Sequence, residues 1–182
     1  VAFNKEKNYD CSYLACGNGN LLDIKETKMK KLTALLLTVT LPLVAFGYAE
    51  CDPDANITTI NGVGLPGRMA TLTNEHVMFD GIIDGGKRMT ITRAVRKAGT
   101  RVGIHIHKWG GTTCVIEGAM TDFVEGQAPA YYPAGTCYYM PPNTYMATSN
   151  MGSVDAVIQD QFIVPDGQPS ITIVEPGYPA CK

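Results

Sequence analysis

Residues 99–107 read Gly99-Thr100-Arg101-Val102-Gly103-Ile104-His105-Ile106-His107, and the reading of this stretch decides the fold. In an extended strand, residues two apart point to the same face, so His105 and His107 project together, at a separation suited to one shared metal ion. The text on either side is strand text. Segments rich in Val, Ile, Thr and Tyr include KRMTITRAVRKA (87–98), TTCVIEGAMTDF (112–123), TCYYM (136–140), AVIQDQFIV (156–164) and SITIV (170–174). Turn residues separate them: Asp84-Gly85-Gly86, Ala98-Gly99, Gly110-Gly111, Pro133-Ala134-Gly135 and Pro141-Pro142-Asn143. Residues 50–67 are rich in Pro, Gly, Asn and Asp and predict an irregular arm. No stretch beyond residue 50 carries a helical period, and many short, evenly spaced strands predict a sandwich or barrel.

The spacing around the histidine pair resembles the two short motifs of the cupin superfamily. The first motif runs Gly, five residues, His-x-His, three or four residues, Glu, six residues, Gly; Gly99, His105, His107 and Gly118 fall on it. The second runs Gly, five residues, Pro-x-Gly, two residues, His, three residues, Asn; Gly135, Pro141 and Asn150 fall on it. The resemblance covers residues 94–164 and implies an all-β cupin jelly-roll barrel in a single domain over residues 50–182.

It also implies a metal shell of three His and one Glu, and here the chain departs from the pattern. Gly111 stands at the Glu position, Met146 at the third His, and Asn143 at the Gly of Pro-x-Gly, where a left-handed turn is still accessible to Asn. The carried-over metal set is therefore His105, His107 and Met146. Two imidazoles and a thioether make a soft site that favours copper as Cu(I) over iron, manganese, nickel or zinc. Three functions compete: metal binding through this set, a metal-dependent enzyme of oxygenase, isomerase or lyase type, and a metal-free barrel that binds a small molecule or serves structurally. Thr113, Tyr145 and Gln159 or Gln161 are further inward candidates. Sheet-edge homodimerisation is what the resemblance implies about self-association.

Cys114 invites comparison with blue-copper sites, which join two His, one Cys and one Met. Strand parity opposes it, because residues 111, 113 and 115 share the histidines' face and leave Cys114 outside unless a bulge intervenes. His76 is expected to be exposed. Trp109 is expected on a loop, Tyr131, Tyr132, Tyr138 and Tyr139 to divide between core and surface, and Met120 and Met140 to fill the core.

The N-terminal region has another logic. From Met29 the chain reads MKKLTALLLTVTLPLVAFGYAEC, with Lys30 and Lys31 ahead of an apolar run and small residues at Gly47 and Ala49. That layout predicts a signal peptide over 29–49, cleaved before Glu50, and a periplasmic or secreted protein. Glu50 precedes Cys51 where a lipoprotein site needs a small residue, so no membrane anchor is expected. Codons for Lys25-Glu26 can read as a ribosome-binding sequence, and residues 1–28 are expected to be untranslated leader or a mis-assigned start.

Whole-chain composition, 45% hydrophobic and 18% charged with a net charge of −2, describes an ordinary globular domain, and nothing in the charge balance points to a nucleic-acid partner. Arg93, Arg96, Lys97 and Arg101 are interleaved with apolar residues and read as a solvated strand face. Residues 50–182 retain Cys51, Cys114, Cys137 and Cys181. An even count in an exported chain favours disulfides, and of three pairings, Cys51–Cys181 across the domain ends with Cys114–Cys137 between strands is favoured.

Overall fold

The computed structural model describes residues 49–181. The expected leader 1–28, residues 29–48 of the expected signal peptide, and Cys11 and Cys16 lie outside the described residues. Among the described residues thirteen strands form: β1 (Ala49–Cys51), β2 (Arg68–Met69), β3 (Thr73–Ile83), β4 (Lys87–Arg96), β5 (Thr100–Arg101), β6 (His105–Ile106), β7 (Gly111–Glu117), β8 (Ala119–Val124), β9 (Ala130–Pro133), β10 (Cys137–Met140), β11 (Met146–Ser149), β12 (Ala156–Pro165) and β13 (Ile171–Ile173). One sheet runs β10-β7-β12-β4-β3. The other runs β1-β13-β6-β11-β5-β2, with β8 joining β11 to β9.

The pairings define a jelly roll. β8 pairs with β9, β7 with β10, β5 and β6 with β11, and β4 with β12, all antiparallel. First therefore meets last along one long folded ribbon, and the ribbon wraps so that the chain crosses repeatedly between the two sheets. The all-β expectation holds. Residues 52–67 form the expected irregular arm, which still buries Ile60 against Ile104, Ala147 and Val174. The larger core cluster joins Val115, Met120, Val124, Tyr138, Met140, Met146, Ala156 and Ile158. Burying each large apolar side chain there contributes about 1.5–3 kcal/mol.

β4 corrects the reading of the basic cluster. Its even-numbered residues Thr90, Thr92, Ala94 and Arg96 are buried, whereas Arg93 is exposed. Arg96 is only 3% exposed and Arg101 only 7%, so two of the four cations point inward. A reading based on hydropathy equates charge with solvent; here the barrel interior is itself polar.

Both favoured disulfides are present. Cys51–Cys181 closes the domain across a separation of 130 residues, and Cys114–Cys137 joins directly opposed residues of β7 and β10. A second clamp is ionic. Arg101 gives Nη1 and Nη2 to the two oxygens of Glu175, at 2.5 and 2.7 Å, in a buried fork. Glu175 Oε2 also accepts the Ile104 amide at 2.8 Å, which fixes the backbone immediately before His105.

Candidate functional site

β6 and the bridge residue that follows it place His105 and His107 on one face, as the alternation requires; both are buried, at 3% and 1% exposure. The two rings meet edge to face with centroids 4.7 Å apart. His107 is held from outside the strand as well, through a bridge to Pro142. Each ring is oriented by a backbone carbonyl: His105 Nδ1–H donates to Gly103 O at 2.8 Å and His107 Nδ1–H to Ser170 O at 2.7 Å. A carbonyl can only accept, so the protons sit on Nδ1 and the lone pairs on Nε2. Burial, reinforced for His105 by the neighbouring His107, pushes its pKa well below the ordinary histidine value, and burial lowers that of His107 to about 4. The pair is neutral at physiological pH.

The space off Gly111 is closed. A Cβ on Gly111 would stand 2.6 Å from two ring carbons of Phe162 and 2.7 Å from the Met140 methyl. The Phe162 ring stacks on His107, with centroids 5.0 Å apart and planes at 25°. His107 Nε2 is buried and has no hydrogen-bond partner among the described residues. Two Nδ1-anchored, neutral imidazoles have the ligand chemistry a metal needs. The rest of a shell does not follow: among the described residues, no three His, Cys, Asp or Glu side chains come together as a metal-holding group. The space off residue 111 belongs to Phe162.

Met146 lies directly across from His105 in β11 and is wholly buried in the apolar cluster. The methionines that line a small chamber of about 70 Å³ with His105 and His107 are Met120 and Met140. Thr113 points inward as expected. Tyr145 is exposed instead, and Cys114 is committed to its disulfide, which removes it as a copper ligand. His76 is exposed, and Trp109, 43% exposed, lies under the Lys108 ammonium.

Gln159 and Gln161 have the wrong parity. The inward residues of β12 are Ala156, Ile158, Asp160, Phe162 and Val164, so the polar group presented to the interior is Asp160. Its carboxylate accepts from Thr113 Oγ1 at 2.5 Å, and burial raises its pKa to about 6. A second, larger cavity of about 370 Å³ adjoins the chamber, sharing Leu72, Arg96, Val102, Asp160 and Ile171 as lining. Its other polar walls include Thr90, Thr92, Glu75 and Tyr178. Arg96 and Asp160 thus sit at the junction of both spaces. The parity that buries Ile158 and Val164 was the available signal for Asp160; for Arg96 it was the parity of Thr90 and Thr92.

The fold is an all-β jelly-roll barrel whose polar interior holds the buried pair His105 and His107. No family model matches the chain, and no curated protein matches it. Among solved structures, it resembles an uncharacterised conserved protein with a double-stranded β-helix domain from Klebsiella pneumoniae at 18% identity. That match covers 65% of this chain and 90% of the other, with a TM-score of 0.44. A cupin family protein from Methanocaldococcus jannaschii aligns at 19% identity over 57% of this chain and 92% of its own, with a TM-score of 0.42. An oxalate oxidase solved with the substrate analogue glycolate aligns at 18% identity over 60% of each chain, with a TM-score of 0.45. At these identities and scores the likeness is one of fold, and no activity passes with it.

Proposed function

We propose that this chain is an exported cupin-type protein that binds a small organic molecule in its barrel, beside His105 and His107. The observation that carries this reading is Phe162, whose ring occupies the space off Gly111 and stacks on His107. A cavity of about 370 Å³ matches the size of small-molecule sites, and its walls mix apolar side chains with a few polar groups. In that setting the histidines act as neutral, fixed hydrogen-bonding groups. Two disulfides support an oxidising compartment. Among the described residues, no helix is long and apolar enough to cross a membrane.

A second reading keeps a metal at His105 and His107, with Met146 or a neighbouring thioether completing a soft site for copper. The unpartnered Nε2 of His107 favours it. Metal analysis of protein purified from its native compartment without an affinity tag separates the two. The small-molecule reading predicts no stoichiometric metal and a co-purifying organic compound by mass spectrometry. Stoichiometric copper would overturn it in favour of the second reading.

A further inference from the structure

The least explained group in the barrel is Arg96. Its side chain is buried at 3% exposure, and Nη1 donates to the Ala70 carbonyl. Nε is buried without a partner, and among the described residues Arg96 forms no ion pair within 4.0 Å. A guanidinium cannot escape this by releasing its proton, and an unpaired buried cation is costly. Desolvation is the main force acting on it, opposed by the neighbouring Tyr178 hydroxyl, which is within hydrogen-bonding reach, and by the charge of Asp160 farther off. The two other well-buried or bridged arginines, Arg88 and Arg101, both have carboxylates. Arg96 instead faces cavity.

We infer that the small molecule is an organic monocarboxylate, held through its carboxylate by the guanidinium of Arg96. This rests on the small-molecule reading above and names the ligand class for the same site. Three features favour that chemistry. A guanidinium edge matches a carboxylate in a two-bond fork. Among the described residues Arg96 is the one cation lining the cavity, and Asp160 and Glu75 on the same walls repel further negative charge, so a singly charged ligand is favoured over the two charges of a phosphate monoester. Leu72, Val102, Ile171 and Ile173 wall the same space, so an apolar body suits it better than a second ionic group. Arg96 also lines the histidine chamber, so a carboxylate held by it lies at the junction of the two spaces, on the side of His105 and His107.

The test is a titration of the intact protein followed by NMR. The Arg96 Nε–Hε signal is assigned by through-bond correlation and by its loss in Arg96→Lys. The probes are isosteric pairs that differ in charge, butyrate with butyramide and benzoate with benzamide, with inorganic phosphate alongside. Concentrations reach about 20 mM, because ligands of so few atoms bind in the millimolar range. The expected result is a saturable shift of the Arg96 signal with both acids, at least about tenfold weaker with the amides and with phosphate, and likewise weakened in Arg96→Lys. If acids and amides perturb the Met120, Met140 and histidine signals equally while Arg96 stays still, the carboxylate inference fails and the small-molecule reading stands. If phosphate matches the acids, the site is a general anion site and the inference fails. If no probe perturbs any cavity signal, both fail. Should Arg96→Lys not fold, the wild-type titration still decides, because the through-bond assignment does not need the variant.

Discussion

Replacing Asp160 with Asn tests the electrostatics of the interior, because the change keeps shape and removes only the charge. In the folded protein burial raises the Asp160 pKa to about 6, against 3.8 for the free side chain. A carboxyl with a raised pKa contributes stability that is fully present below its unfolded pKa and lost as pH rises through its folded one. The window is therefore about pH 4 to 6. The difference of about 2 pH units corresponds to a cost near 3 kcal/mol above pH 6, and cavity water screens it to about 2 kcal/mol. His107 works in the opposite sense. Its pKa falls from 6.5 to about 4, so its contribution is present above pH 6.5 and lost as pH falls to 4, by up to about 3 kcal/mol. In the wild type the two terms oppose each other on acidification. In Asp160→Asn the compensation is gone, while Thr113 Oγ1 can still donate to the amide oxygen. Urea unfolding at pH 7.5, 5.5 and 4.5 should show the variant more stable by about 1–2 kcal/mol at pH 7.5, with the advantage gone near pH 4. A variant that is less stable at pH 7.5 would mean that Asp160 is ionised and stabilising beside Arg96, and the reasoning about both residues would fail.

Gly111→Ala should cost about 1–3 kcal/mol and shift the ring resonances of Phe162, since its Cβ meets that ring and the Met140 methyl at under 3 Å; a neutral effect in urea unfolding would mean the space is open. Glu175→Gln leaves Arg101 buried and unpaired and should cost about 3–5 kcal/mol, with faster amide exchange at Ile104 as the local sign. Loss of Cys51–Cys181 should lower stability by about 5 kcal/mol and loss of Cys114–Cys137 by about 3, as the lengths of the closed loops dictate, measured in the paired Ser variants under identical conditions.

Much of the fold was legible because it is encoded by local rules. Alternation along 87–98 and 112–123, the turn residues between segments and the His-x-His spacing all act over a few residues, and each of them survived folding into the jelly roll. That His105, His107 and Thr113 share a face and Cys114 takes the other followed from period two, and the motif resemblance supplied the inward side. The site was less legible because parity says which residues share a face, not which face is the interior. On β12 the choice of Gln159 and Gln161 treated polar as cavity-facing, whereas Ile158 and Val164 bring Asp160 and Phe162 inside. On β4 the same habit placed Arg96 in solvent. Phe162 and Gly111 lie 51 residues apart, and nothing in either segment alone reveals that one ring fills the other's missing side chain.

The central claim is that Phe162 closes the position a further metal ligand would need, and that His105 and His107 serve an organic molecule instead. The direct measurement is the affinity of the wild type and of Phe162→Ala for Zn²⁺ and Cu⁺ by chelator competition. The account predicts wild-type binding weaker than about 10 μM for both ions, with any gain appearing only when the Phe162 ring is removed. Submicromolar binding by the wild type, unchanged or weakened in Phe162→Ala, would contradict it.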